Sequence, residues 1–178
     1  ASAINRGAMV RAVDAELIRN IYDVREAMES YLIARFAEQA TNGDIAAIEQ
    51  IQARFEEAAT TRDNTAMQAT NQEFHSYING AYRNPEALEV LRRSSQLVAH
   101  LRQKFGYSDF RLSQIIEEHR AIIAAVHDRN SAKAAEAVAL HDRSARTELV
   151  RQLNLSQARS APAASKFDEQ HRDGAPVL

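Results

Sequence analysis

Turn-forming residues are scarce in this chain, which has only five glycines and three prolines among its 178 residues. It also has no tryptophan. An all-β fold needs many turns, so this composition disfavours one. The sequence is instead rich in alanine, leucine, glutamate, glutamine and arginine, which favour helices. We therefore predict an all-α fold.

Helix start and stop signals divide the chain into six predicted helices. Asn42-Gly43 is predicted to close the first helix near Ala40, Gly106 ends the fourth, and the sixth is expected to end near Leu153. The connections between the helices are short, which favours antiparallel neighbours in a compact bundle. The predicted N-terminal residues are, in chain order, Asp14, Asp44, Asp63 or Asn64, Asn84 followed by Pro85, Ser108 or Asp109, and Ser131.

A chain of this length has room for one domain with short appendages. We assign residues 13–155 to the helical domain. Residues 1–12 contain a glycine and do not fit the bundle pattern, so they are predicted to be an N-terminal arm. Residues 156–178 are small and polar and contain two of the three prolines, which predicts a loosely attached tail.

Composition also excludes several classes of protein. The net charge is -2 and the pI about 6.3, so any DNA-binding surface is expected to lie outside this sequence. The absence of cysteine excludes disulfides and thiolate zinc sites. No stretch approaches the roughly 18 continuous apolar residues of a membrane span, and the first residues lack the apolar run of a signal peptide. We therefore expect a cytoplasmic protein with no membrane contact.

Three of the six histidines fall on the apolar faces of three different predicted helices. His75 follows Asn71 by four residues, so both lie on one face of the third helix. His119 sits among isoleucines in the fifth helix, and His141 lies on the inner face of the sixth. The others are placed differently: His100 lies off its stripe, His127 near a helix end, and His171 in the tail.

A single inward histidine is most often a hydrogen-bonded core residue. Three on separate helices are harder to satisfy, because each unpaired buried polar group costs about 1–3 kcal/mol. A shared divalent metal would satisfy them together, with His75, His119, His141 and the side-chain oxygen of Asn71 as ligands. Imidazole suits zinc, nickel, copper or iron. Since these ligands are neutral, the ion would keep its charge and attract an anion, such as a small carboxylate.

Polar residues on two other predicted inner faces are candidates for binding that anion. Arg25 interrupts the apolar stripe of the first helix, where it can clamp a carboxylate or form a salt bridge with Glu29. In the fourth helix Ser94 and Ser95 interrupt the stripe, with Arg102 on its flank. These small residues either leave space for a ligand or permit close helix packing.

Several segments of the sequence are similar to one family. The run RGAMVRAVDAELIRNIYDVREAMES resembles the junction between the winged-helix wing and the first effector-domain helix of GntR regulators of the FadR subfamily. The segments NQEFH, EEHRAII and ALHDRSA, which contain the three histidines, also resemble that family. The resemblance covers about residues 6–153. One departure is Asn71, where many members have aspartate, a stronger metal ligand.

The resemblance implies an effector-binding and dimerisation (FCD) domain, an antiparallel bundle of six to seven helices. Such a domain forms a homodimer and responds to a small carboxylate near a bound metal, usually zinc or nickel. It also implies that residues 1–12 are a remnant of the wing and linker, and that operator DNA is bound by a winged helix-turn-helix absent from this sequence. Small changes in the dimer would then alter the spacing of the two DNA-binding domains.

Two other functions are compatible with the histidine pattern. A mononuclear metalloenzyme would need an inward general base, but Glu73 and Glu118 are predicted to point about 100° away from the histidines beside them. A di-iron enzyme is excluded, because a di-iron bundle needs Glu-x-x-His on two helices. The residues three before His75 and His119 are glutamine and isoleucine. A metal-free structural dimerisation module, with the histidines in its core, also stays open.

Overall fold

The computed structural model describes residues 13–160, and residues 1–12 and 161–178 lie outside the described part. The predicted all-α bundle is confirmed. No helix within residues 13–160 is both long and apolar enough to cross a membrane. The six helices are α1 (Ala15–Gln39), α2 (Asn42–Thr61), α3 (Asn64–Ala81), α4 (Pro85–Phe105), α5 (Asp109–His127) and α6 (Ser131–Ser160).

Four helices begin with the side-chain cap that the sequence predicts. The backbone N–H of Leu17 donates to the Asp14 carboxylate at 2.7 Å, and Asp63, Asn84 and Ser108 accept equivalent bonds in α3, α4 and α5. Each bond satisfies one of the backbone donors that a helix leaves unpaired in its first turn.

The start of α2 differs from the prediction. Thr41, not Asp44, caps this helix, and Asn42 and Gly43 lie within its first turn instead of closing α1. The Thr41 hydroxyl accepts from the Asp44 N–H at 3.1 Å, and the Asp44 carboxylate accepts from the Thr41 N–H at 2.7 Å. This reciprocal capping box satisfies two donors, whereas Asp44 as the cap would satisfy one.

The last helix is longer than predicted. It runs to Ser160 and so includes residues 156–160, which the sequence pattern placed in the tail. Leu153 is the last residue of α6 buried against its neighbours. The exposed residues after it include no helix breaker before Pro162, so the backbone hydrogen bonds continue.

Short connections predict that consecutive helices pack against each other, and only some of them do. The pairs α2–α3, α3–α4 and α5–α6 pack against each other, and α1 lies along α6. The consecutive helices α4 and α5 do not pack together, nor do α1 and α2. Gly106 ends α4 with φ of 67° and ψ of −158°, a backbone conformation that favours glycine and turns the chain away from α4.

The cap of α4 provides a stability test. Asn84→Ala is expected to lower the free energy of unfolding by about 1 kcal/mol, because the Ala87 N–H loses its side-chain acceptor. Urea denaturation would measure the change. Asn84→Asp is the matched control and should stay within a few tenths of a kcal/mol of the wild type, since aspartate caps equally well. Equal losses in both variants would show that the cap is not the cause.

Candidate metal and ligand site

The structure brings the three predicted histidines together in the bundle interior. His75 comes from α3, His119 from α5 and His141 from α6, and one ring nitrogen of each lies within 4.8 Å of the others. The ring centroids are 5.5 Å apart for His75–His119 and 4.9 Å for the other two pairs. His119 is fully buried. We refer to these three residues as the histidine cluster.

His119 has one ring nitrogen paired and one free. Its Nδ1 lies 2.7 Å from Oε1 of Gln52, a buried residue of α2. Its Nε2 is buried and has no hydrogen-bond partner within residues 13–160. The ring stacks on Phe74 with centroids 4.2 Å apart, which holds its orientation. An unpaired ring nitrogen in this position is costly unless a ligand uses its lone pair.

The other two histidines also face an oxygen atom with Nδ1. The distance from His141 Nδ1 to Glu118 Oε2 is 2.8 Å, and His75 Nδ1 lies 3.3 Å from Glu29 Oε2. All three rings thus have Nδ1 turned to an outer oxygen, which leaves Nε2 as the inward nitrogen. Metal-binding histidines in proteins commonly have this arrangement, because the outer acceptor orients the ring and selects its tautomer.

Buried arginines pair with both of these carboxylates. Arg111, which is 1% exposed, lies 2.9 Å from Glu118, and Arg25 donates a short hydrogen bond to Glu29. Burial raises the pKa of Glu29, but the charge of Arg25 and the contact with His75 outweigh it and lower that pKa to about 2. Glu29 is therefore ionised at neutral pH.

The environment keeps the two fully buried histidines neutral. Burial lowers the pKa of His119 well below its usual value, and the neighbouring histidines and Arg111 lower it further. The pKa of His141 is lowered in the same way, with burial again the largest cause. Neutral imidazole is the form that binds metal ions.

Asn71 lies on α3 one turn before His75. Its side-chain oxygen is buried and accepts no hydrogen bond from the described residues. Asn71 and His75 line the same cavity. The chemistry of the set, three imidazole nitrogens and one amide oxygen, suits a divalent transition metal, and the unpaired atoms at Asn71 and His119 are the ones that such an ion would satisfy.

A cavity of about 310 Å³ opens beside the cluster, between α1, α3 and α4. The three predicted effector-binding residues, Arg25, Ser95 and Arg102, all line it. Its lining also includes His75 from the cluster. The cavity is large enough for a small organic acid.

Arg25 is held by three neighbours. Besides the bond to Glu29, it donates to the Ser95 hydroxyl at 3.0 Å, and its Nε lies 3.9 Å from Asp142. The salt bridge with Glu29, which was one of the two interpretations of the sequence, is therefore present, but it is buried and not exposed.

Arg102 has fewer partners than Arg25. It is 6% exposed, one Nη donates a long 3.4 Å bond to the Ala145 carbonyl, and the other has no partner. Within residues 13–160 no carboxylate lies close enough to form a salt bridge with it. A buried guanidinium without a counter-ion favours an anionic ligand.

Sequence reasoning missed four members of this site. Gln52, Arg111 and Asp142 were not identified, and Glu118 was expected only to point away from His119. Its carboxylate contacts His141 of the cluster, on the neighbouring helix, at 2.8 Å. A signal existed for Gln52, since it is a polar residue on the apolar face of α2 formed by Ile48, Ile51 and Phe55.

The remaining histidines are not part of the cluster. His100 and His127 are exposed, as their positions off the apolar stripes suggest. His171 lies outside the described residues.

The fold is an all-helical domain with a histidine cluster in its interior, and comparison with known proteins identifies its family. The FCD domain profile matches residues 20–144, so the chain belongs to the FCD domain family. No curated protein shows significant sequence similarity to the chain.

Three solved structures share the fold. Streptococcus agalactiae GntR is 23% identical, with a TM-score of 0.60 over 75% of this chain and 59% of its own. E. coli McbR/YncC is 18% identical, with a TM-score of 0.70 over 78% of this chain and 66% of its own. The metal-free FCD domain of TM0439 is 17% identical, with a TM-score of 0.64 over 82% of this chain and 99% of its own. This chain thus spans less than two thirds of the first two proteins.

Proposed function

We propose that this chain is the ligand-sensing and dimerisation domain of a GntR-type transcription regulator of the FadR subfamily, acting as a cytoplasmic homodimer. It would bind a small carboxylate beside a metal held by His75, His119, His141 and Asn71. One observation supports this most directly: His75 of the histidine cluster lines the same cavity as Arg102, which has no carboxylate partner among the described residues.

The ligand set favours a zinc or nickel ion with open coordination positions. Three nitrogens and one amide oxygen, with no sulfur, differ from the closed cysteine-rich sites of structural zinc. When bound, the ion supplies a Lewis-acidic positive charge to which a carboxylate oxygen can coordinate. Each imidazole ring is oriented by the oxygen atom that its Nδ1 faces, on Gln52, Glu118 or Glu29.

The charges around the cavity favour an anion over a neutral ligand. Arg25 and Arg111 each have a carboxylate partner, whereas Arg102 has none among the described residues. A carboxylate at Arg102 would supply the missing counter-charge and accept from its free Nη. Ser95 is placed to contribute a hydroxyl, and Arg25 can contact the ligand if it shares its hydrogen bonds with Glu29.

The rival function as a metalloenzyme gains no support from Glu73, Glu118 or Glu29. Glu73 is bound to Arg54 on the surface, and Glu118 is occupied by Arg111 and His141. Glu29 lines the cavity, but a carboxyl group with a pKa of about 2 is a weak base. The structural relatives, too, bear the names of regulators and not of enzymes.

Regulation would act through α1. Arg25 of α1 contacts Ser95 of α4 and approaches Asp142 of α6, so it links three helices at the cavity wall. A ligand that engages Arg25 and Arg102 would favour one packing of these helices by its differential affinity for the two states. In the dimer this would change the spacing of two DNA-binding domains that lie outside this chain, and we expect release from operator DNA.

Two measurements test the proposal. Elemental analysis of the purified chain at neutral pH should find about one zinc or nickel ion per subunit. Malate, a small hydroxydicarboxylate, serves as the probe for the carboxylate ligand. It should raise the melting temperature of the metal-loaded protein, because a ligand that binds only the folded state stabilises it. A metal-free wild type that also fails to take up zinc or nickel would support the metal-free structural module instead.

Arg102→Leu should weaken malate binding by about 10- to 100-fold, since a charge-assisted hydrogen bond contributes about 1.5–3 kcal/mol. The metal content should not change, because Arg102 is not one of the proposed metal ligands. Arg92→Leu, an exposed arginine on the same helix, is the matched control and should bind malate as the wild type does. Wild-type affinity in Arg102→Leu would remove Arg102 from the ligand site. Wild-type malate affinity in Arg25→Ala would likewise exclude Arg25 as a residue that clamps the ligand carboxylate.

A further inference from the structure

Gln52 is the one cluster partner that is not a carboxylate. It lies on α2, is 4% exposed, and its side-chain oxygen lies 2.7 Å from Nδ1 of His119. A carboxylate accepts a hydrogen bond through either oxygen, whereas an amide can turn by 180° and present N–H instead of oxygen. The orientation of the Gln52 amide therefore determines whether Nδ1 of His119 faces an oxygen or an N–H group.

A second contact determines that orientation. The Gln52 amide nitrogen lies 3.0 Å from Oε1 of Glu56, one turn further along α2. Arg120 of α5 donates to both oxygens of Glu56, at 2.9 and 2.6 Å. These hydrogen bonds from Arg120 lower the pKa of Glu56, so the group is ionised at neutral pH. An ionised carboxylate only accepts hydrogen bonds, so the NH₂ of Gln52 must face Glu56.

The tautomer of His119 follows from this chain of contacts. With its NH₂ on Glu56, Gln52 turns its oxygen to His119, and an oxygen can only accept. The Nδ1 of His119 must then carry the proton, which leaves the lone pair on the buried Nε2 facing the cluster.

We propose that Gln52 is a positioning residue that holds His119 in the Nδ1–H tautomer, and that Glu56 and Arg120 set the orientation of Gln52 from the surface. The link to metal binding rests on the proposed function. The tautomer itself does not, because it follows from hydrogen bonds between protein side chains alone.

The experiment measures the tautomer and the metal affinity separately. The full chain, labelled with ¹⁵N-histidine and stripped of metal, is studied by long-range ¹H–¹⁵N correlation at pH 7.5, which distinguishes the Nδ1–H from the Nε2–H tautomer. Zinc affinity is measured by competition with a chelator. The variants are Gln52→Leu, which removes the acceptor at similar volume, and Glu56→Gln, a partly exposed position whose substitution allows the Gln52 amide to turn. The matched control is Gln50→Leu, an exposed glutamine on the same helix.

The wild type and Gln50→Leu should show His119 as the Nδ1–H tautomer. Gln52→Leu should populate the Nε2–H form and weaken zinc binding by about 10- to 100-fold, the usual effect of removing an outer partner of a metal-binding histidine. Glu56→Gln should cause a smaller change of the same kind, and because it lies near the surface it also tests the proposal if Gln52→Leu fails to fold.

An unchanged tautomer in both variants, or an Nε2–H form in the wild type, would overturn the inference. If the wild type binds no zinc but the tautomer changes as expected, the proposed metal function fails while the role of Gln52 stands.

Discussion

His119→Ala is expected to abolish metal binding, reducing the content from about one ion per subunit to a trace, because a site with three imidazoles loses one of its nitrogen donors. His119 has the strongest individual case for this role, since its Nε2 is buried and without a partner. The rise in melting temperature that zinc or nickel causes in the wild type should disappear as well. At a metal concentration of about 100 times Kd that stabilisation is about 2.7 kcal/mol.

This variant also changes the packing, so the controls matter. The His119 ring stacks on Phe74 and contacts Phe55, and its removal leaves a cavity that lowers stability with or without metal. The test is therefore the difference between the metal-loaded and metal-free melting temperatures of each protein. His127→Ala, an exposed histidine at the end of the same helix, should keep the full difference. Stoichiometric metal in His119→Ala would contradict the site.

Arg111→Leu should have two opposite effects. The first is a loss of about 1.5–3 kcal/mol in the free energy of unfolding of the metal-free protein, because the partly buried Glu118 carboxylate loses its charged hydrogen-bond donor. Arg111 is 1% exposed and lies 2.9 Å from Glu118, whose other contact is His141. The second is tighter metal binding, because a positive charge that acts on both His119 and His141 is removed.

Chemical denaturation with and without zinc separates these effects. The metal-free variant should unfold at a lower denaturant concentration than the wild type, and the gap between its metal-free and metal-loaded forms should widen. Arg54→Leu is the matched control, since it breaks an exposed Arg–Glu pair and should change stability by no more than about 1 kcal/mol. Metal-free stability equal to that of the wild type, or a narrower gap, would contradict this account of Arg111.

Most helix starts and the three central histidines could be predicted because they depend on local rules. Asp14, Asn84 and Ser108 cap helices through bonds to residues three positions away. The inward position of His119 follows from the period of one helix. The start of α2 was predicted wrongly because Thr41 and Asp44 are both suitable capping residues. The end of α6 was predicted too early because no helix-breaking residue marks it.

The partners of those histidines could not be derived in the same way. Gln52 lies 67 positions before His119, and Glu118 lies 23 before His141, on different helices in each case. Whether two such residues meet depends on how the helices pack and rotate against each other. The periodicity of α5 predicted that Glu118 turns away from His119, and only the packing of α5 on α6 places it against His141.

The sequence by itself determined the helical class, most helix starts and the inward faces with their three histidines, because helix propensity, capping and a period of 3.6 residues are properties of short segments. The tertiary structure decided which polar groups pair inside the bundle. It assigned Arg25 and Arg111 to carboxylates and left Arg102 without one among the described residues. The pairs Arg25–Glu29 and Arg111–Glu118 each lie within one helix, but how deeply they are buried, and so what they contribute to stability, depends on how the helices pack.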